Sequence, residues 1–126
     1  MLGQPTVISH GGDERDDIVY VHDVAQAIGL ATVCGLHGAS VFNIGQGKPF
    51  GLHDMASAIK TCYADAVINI GPGFDFMNVG FDAYNVLDIS KAREQLGYEP
   101  AYVLTDMVRH YAETLKKFGI VPLLSS

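Results

Sequence analysis

Arg15 is the residue in this sequence best suited to hold a ligand. A planar guanidinium can donate two parallel hydrogen bonds to phosphate oxygens, and Arg15 precedes a β-branched run instead of lying on the solvated face of a helix. The competing reading is a surface ion pair with Asp13, Glu14 or Asp16. The carboxylates from Asp13 to Asp17 cluster, but Arg15 interrupts them and they read as mostly solvated. Other chemistry is sparsely supplied. His10, His22, His37, His53 and His110 contain no i,i+4 pair, which argues against a zinc site. Cys34 and Cys62 sit inside amphipathic segments and not at metal-ligand or redox spacing, so they read as buried, reduced thiols. No Gly-x-Ser-x-Gly elbow is present. Gly45-Gln46-Gly47 is followed by Phe50, and Gly71-Pro72-Gly73 by Phe76, where a dinucleotide-binding turn needs a third glycine; both read as simple turns.

The elements that must position Arg15 follow from local pattern. Thr6 to Ser9 and Ile18 to Val21 are β-branched runs separated by Gly11-Gly12-Asp13-Glu14, which suggests two strands joined as a hairpin. A helix opens near His22, with Asp23 as N-cap and Gln26 completing a capping box, presents Val24, Ala27, Ile28 and Ala31, and stops at Gly35. Val41 to Ile44 reads as a strand buried on both faces of a parallel sheet. A second helix runs from about Leu52 to Ala64 through Leu52, Met55, Ala56, Ile59 and Tyr63, with Gly51 where a Ser or Thr cap would be expected. Val67 to Ile70 is a further strand, Gly71 through Gly80 an irregular loop of the kind that binds ligands, and Asn85 to Leu87 a short strand. Asp88 or Ser90 caps a helix over Lys91 to Leu96 that ends at Gly97. The last helix, about Leu104 to Phe118, presents Met107, Val108, Tyr111 and Leu115 and stops at Gly119. Strands alternating with helices predict an α/β fold, and so few strands leave a parallel sheet with an open edge and an uncovered face.

Composition excludes several classes of function. The 126 residues suffice for one domain with a real core, and the hydrophobic fraction of 48% is that of a globular chain. A net charge of −6 with only 8 Lys and Arg argues against nucleic acid and against anionic membranes. No apolar run approaches the roughly 20 residues of a membrane span, and Met1-Leu2-Gly3-Gln4-Pro5 lacks the basic and apolar regions of a signal peptide, so a cytoplasmic location is expected.

Three ordered blocks carry a resemblance. Arg15-Asp16-Asp17-Ile18-Val19-Tyr20-Val21-His22-Asp23-Val24-Ala25-Gln26-Ala27 resembles the Arg-Asp-aromatic segment of the extended short-chain dehydrogenase/reductases, the NAD-dependent epimerase/dehydratase family. Val41-Phe42-Asn43-Ile44-Gly45-Gln46-Gly47-Lys48, followed by Leu52-His53-Asp54-Met55-Ala56, is similar to that family's strand, turn and helix start. Leu87-Asp88-Ile89-Ser90-Lys91-Ala92-Arg93-Glu94-Gln95-Leu96-Gly97-Tyr98-Glu99-Pro100 is similar to its Asp-x-Ser/Thr-Lys element. Physically, Asp23, Asn43, Gly45, Gly47, Asp88, Lys91 and Gly97 read as caps, turns and packing.

The resemblance implies a partial Rossmann-like parallel sheet plus the small α/β substrate domain, with residues 1–126 forming a C-terminal, substrate-side portion that lacks the dinucleotide-binding part. It implies a nucleotide-sugar or related small-molecule substrate, with Arg15 at its diphosphate and Asp17 and Asp82 as further candidate substrate-binding residues. Asp17 stands where many members have an aromatic, and the stretch Asn78 to Tyr84 has no basic residue where many place a second Arg. The family uses NAD or NADP, but its Gly-x-x-Gly-x-x-Gly turn is missing here, and none of the 6 tyrosines has the Lys four residues on that its catalytic pair requires. The chain alone is therefore expected to bind no cofactor and to be inactive, a fragment or truncated reading frame that dimerises or associates with a missing N-terminal half. The alternative is a non-catalytic ligand-binding or interaction module derived from the same family.

Overall fold

The computed structural model describes residues 4–35, 38–80 and 84–120. In chain order the elements are β1 (Thr6–Ile8), β2 (Arg15–Asp16), α1 (Val21–Val33), α2 (Leu52–Cys62), β3 (Ile68–Ile70), β4 (Tyr84–Asn85), α3 (Ser90–Leu96) and α4 (Leu104–Lys117). The α/β expectation holds, with two separate pairs of parallel strands among the described residues. Thr6 pairs with Ile68 and Ile8 with Ile70, while Arg15 pairs with Tyr84 and Asp16 with Asn85. Phe50 adds an antiparallel bridge to Asp16, exchanging both backbone hydrogen bonds at 2.8 Å.

The expected hairpin does not form. The turn after β1 zips instead onto the loop after β3: the Gly12 amide donates to the Gly71 carbonyl at 2.9 Å and that of Asp13 to Gly73 at 2.9 Å, while the Asp13 carboxylate accepts from the Gly73 amide at 2.7 Å. The second β-branched run contributes its tail to a helix, since α1 begins at Val21 behind an extended Tyr20 (φ −90°, ψ 142°).

Asp23 is consequently not an N-cap. It is the third residue of the helix and only 1% exposed, with one oxygen accepting from the Ala101 amide at 2.8 Å and the other from Gln46 Nε2 at 3.2 Å. The carboxylate still lies in the first turn, where the helix dipole favours it, but its partners are 23 and 78 residues away.

Two cores result. Ala27, Ile89, Ala92, Leu96 and Tyr98 form one, joined by Leu30, Cys34, Phe42 and Ile44; Ala58, Leu104 and Met107 form the other, joined by Ile18, Tyr20, Phe50, Met55, Tyr102 and Val108. Residues 41–44 join no ladder among the described residues, and Val41 is 82% exposed. The segment is buried on one side only, through Phe42 and Ile44. Tyr111, expected on the inner face of α4, is exposed, and so is Ile28 of α1. Among the described residues no helix is long and apolar enough to cross a membrane.

Candidate functional site

Strand alternation sorts the acidic segment into two faces. Glu14, Asp16 and Ile18 line a cavity of about 230 Å³ together with Phe50, Gly51, Leu52, Met55 and Phe76. Arg15 and Asp17, the odd-numbered residues between them, do not line it. A wider and shallower depression of about 370 Å³ lies between α2 and the start of α4, walled by Lys48, Asp54, Ser57, Thr61 and Thr105 among others. The smaller cavity is the better candidate, because its walls are mostly apolar with a few polar groups converging on them.

Arg15 is half-buried, and its Nη1 donates to the carbonyl oxygens of Gly12 at 3.0 Å and Glu14 at 2.7 Å. Among the described residues it forms no ion pair with Asp13, Glu14 or Asp16; the ion pairs found there are Arg93–Glu99 and Arg109–Asp106, both exposed. The guanidinium lies over Gly51, where any Cβ would overlap it and would stand 3.0 Å from the Glu14 carbonyl oxygen. That contact explains a glycine at the N-cap of α2. The missing cap is supplied in part by Asp54, whose carboxylate accepts from the Gly51 amide at 2.8 Å.

Asp17 places both carboxylate oxygens on backbone amides: Gln46 at 2.6 Å, Gly47 at 2.9 Å and Leu87 at 3.3 Å. A side chain on Gly45 would overlap that carboxylate, with 2.6 Å from its Cβ to Oδ2. Asp82 lies outside the described residues. The loop expected to bind ligand is fastened by Asp75, whose carboxylate accepts from the amides of Val79 at 2.7 Å and Gly80 at 2.8 Å, so its contribution to the cavity is the Phe76 ring.

The reading of residues 13–17 as mostly solvated needs correcting. Glu14 is only 6% exposed and accepts from the Phe76 amide at 3.1 Å, which ties the acidic segment to the far wall of the cavity. Asp16 is half-buried, and its carboxylate makes no hydrogen bond among the described residues. Neither residue is among the candidates the sequence motifs mark; the signal that points to them is the period-two pattern Glu14, Asp16, Ile18 ending in an apolar residue.

Tyr98 is a further buried residue with a polar group that the sequence does not single out. It is 1% exposed and its hydroxyl donates to the Gly45 carbonyl at 2.9 Å. Burial, reinforced by the nearby carboxylates of Asp23 and Asp17, pushes its pKa up to about 12. It stays protonated at neutral pH and braces the same turn that Asp17 holds from the other side. Near the N-terminus of α1, the Tyr20 hydroxyl hydrogen-bonds His110 Nδ1 at 2.5 Å, and burial followed by the proximity of Tyr102 raises the Tyr20 pKa.

Neither glycine turn fits a dinucleotide. The amides of Gln46 and Gly47 are taken by Asp17, that of Gly71 donates to Ile8 and that of Gly73 to Asp13, which leaves no such row of free donors for a pyrophosphate at either turn. Among the described residues no group of three or more His, Cys, Asp and Glu side chains is arranged to hold a metal ion.

No protein-family model matches the sequence. Among solved structures, the fold superposes on MoeE5, determined with UDP-glucuronic acid and NAD, with a TM-score of 0.73 and 21% identity over 92% of this chain and 38% of that one. It also superposes on UDP-glucose-4-epimerase from Stenotrophomonas maltophila (TM-score 0.75, 24% identity, 91% of this chain and 36% of that one). The fold is that of Rossmann-like short-chain dehydrogenase/reductase epimerases. UDP-glucose 4-epimerase from Thermotoga maritima, determined with UDP-glucose, is 29% identical over 90% of this chain and 36% of that one, with a TM-score of 0.67. The chain thus spans little more than a third of the length of each of these enzymes.

Proposed function

We propose that this chain is the substrate-side portion of an NAD(P)-dependent epimerase/dehydratase-type enzyme, and that its cavity between β2, the start of α2 and Phe76 receives part of a nucleotide-sugar or related substrate. The observation that carries this reading is the match of about nine-tenths of the chain to little more than a third of enzymes solved with UDP-glucuronic acid and NAD. The occupied amides of both glycine turns agree with a dinucleotide held elsewhere in a complete enzyme, where it would supply the hydride chemistry. The residues of this chain bind and orient. Arg15 and Asp17 act in this reading as positioning residues: Arg15 fixes the carbonyls beneath the acidic strand, and Asp17 locks the 45–47 turn behind it.

The outer face of α1 supports an absent neighbour. Val21, Ala25, Ile28 and Thr32 form an exposed stripe opposite the packed one of Asp23, Ala27, Leu30 and Cys34, and a helix apolar on two faces is characteristic of one covered on both.

Amide-resolved NMR titration of the chain tests the proposal. Methyl β-glucoside at millimolar concentration should shift the amides of Phe50, Gly51, Leu52 and Phe76, while excess NAD should leave the spectrum unchanged. Saturable one-to-one NAD binding, or cavity amides indifferent to every sugar, would refute it.

A further inference from the structure

We infer that the cavity selects a sugar by its amino group, with Asp16 as the specificity-determining residue; this rests on the substrate-side reading above. The cavity is small. At about 230 Å³ it falls below the roughly 300–1,000 Å³ that encloses a whole drug-sized ligand, so it takes one moiety of a substrate and leaves the rest outside. Its walls then decide which moiety. Ile18, Phe50, Leu52, Met55 and Phe76 offer apolar surface for one face of a ring, and the polar side chains among the lining residues are Glu14 and Asp16; no Lys, Arg or His lines the cavity, and Lys48, 5.3 Å from the Phe50 ring centroid, lines the wider depression instead.

The two carboxylates have different duties. Glu14 already accepts from the Phe76 amide and is buried, so it holds the wall together and adds negative charge. Asp16 sits on a strand fixed from both sides, by Asn85 through the parallel ladder and by Phe50 through paired backbone hydrogen bonds of 2.8 Å. Its side chain is thus presented from a rigid backbone, and among the described residues it has no donor of its own. A partly desolvated carboxylate in such a place favours a cationic donor over a neutral one and repels an anion. Arg15, the neighbouring residue on the strand, cannot offset this by turning inward without giving up two carbonyl acceptors and its seat over Gly51. A phosphate is the wrong occupant, and a ring bearing a protonated amine is the right one. In a nucleotide-linked amino sugar the diphosphate would remain outside the cavity.

The experiment compares three probes on the intact chain, the near-isosteric pair methyl β-glucosaminide and methyl β-glucoside and the anionic glucose 6-phosphate, each followed by shifts of the Phe50, Gly51 and Phe76 amides at low salt. The aminoglycoside should bind about tenfold more tightly than the glucoside, and the phosphate more weakly than either. Asp16→Asn is nearly isosteric and leaves the backbone bridges intact; it should bring the first two probes to within about twofold of each other while the spectrum remains that of the folded chain. Equal binding of amine and glucoside by the wild type, a preference that survives Asp16→Asn, or tightest binding of the phosphate overturns the inference and leaves the substrate-side reading standing. If no sugar moves these amides, both fall together.

Discussion

Asp17 accepts hydrogen bonds from amides in two segments, the 45–47 turn and Leu87, so one carboxylate joins stretches of chain 29 to 70 residues away from it. Hydrogen bonds to a charged group contribute more than neutral ones, and removing the acceptor leaves the amides to find water. Asp17→Ala should therefore cost about 2–3 kcal/mol in urea-induced unfolding, with Arg15→Ala, which takes the Nη1 donor away from the Gly12 and Glu14 carbonyls, costing about 1–2 kcal/mol. An Asp17→Ala variant as stable as wild type would return Asp17 to the pool of free ligand-binding groups. Tyr98 gives a pH dependence with a definite sign. Its folded pKa of about 12 lies above the ordinary value of 10.0, so the unfolded chain loses the phenolic proton first as pH rises. The contribution of Tyr98 is fully present below pH 10 and drains away between pH 10 and 12. Tyr98→Phe should flatten that alkaline limb while lowering neutral-pH stability by about 1 kcal/mol, the worth of its hydrogen bond to Gly45. An unchanged alkaline limb would mean the hydroxyl titrates normally.

At the scale of elements, Gly51 separates a local rule from the packing that overrides it. Ser is a better N-cap than Gly for an isolated helix by a few tenths of a kcal/mol, yet any Cβ here meets the Arg15 guanidinium and the Glu14 carbonyl. Gly51→Ser should destabilise the chain by about 1–2 kcal/mol, and in the Arg15→Ala background most of that penalty should vanish. Simple additivity in this double-mutant cycle would show that the two residues do not touch. The same contrast decides what the sequence could and could not announce. The ends of α3 and α4 were legible because Gly97 and Gly119 carry their signal locally, and both adopt left-handed backbone (φ 68° and 62°). Asp23 was misread because a carboxylate in a first turn looks the same whether it caps the helix or reaches Ala101. The pairing of β1 with β3 was illegible for a related reason: three-residue strands whose partners are 62 positions apart have no local turn to set their register. The cavity was half-legible. Its acidic wall follows from the alternation of Glu14, Asp16 and Ile18, but Phe50 and Phe76 arrive through contacts that no spacing announces.

The whole molecule carries more apolar surface than its cores consume. Val21, Ile28 and Val33 of α1 are 66%, 62% and 78% exposed, and Val41, at the start of the 41–44 segment that joins no ladder among the described residues, is 82% exposed. Two short parallel strand pairs also leave edges unpaired within the described residues, and parallel strands are ordinarily covered on both faces. A chain of this kind in water lowers its free energy by covering such surfaces with another protein surface. The isolated chain should accordingly self-associate as its concentration rises, with sedimentation velocity reporting species heavier than the 13.5 kDa monomer. Ile28→Lys and Val41→Lys place charge on sites that contribute little to the cores, so each should change unfolding free energy by no more than about 0.5 kcal/mol. Together they should shift the association midpoint to at least about tenfold higher concentration, the equivalent of roughly 1.4 kcal/mol of contact free energy. The pairing of the two measurements distinguishes the causes. Association reduced with stability retained assigns the outer face of α1 and the 41–44 segment as the surface that a neighbour covers. Association unmoved by both lysines would place that surface elsewhere and remove the physical argument for a covering partner on this side of the fold.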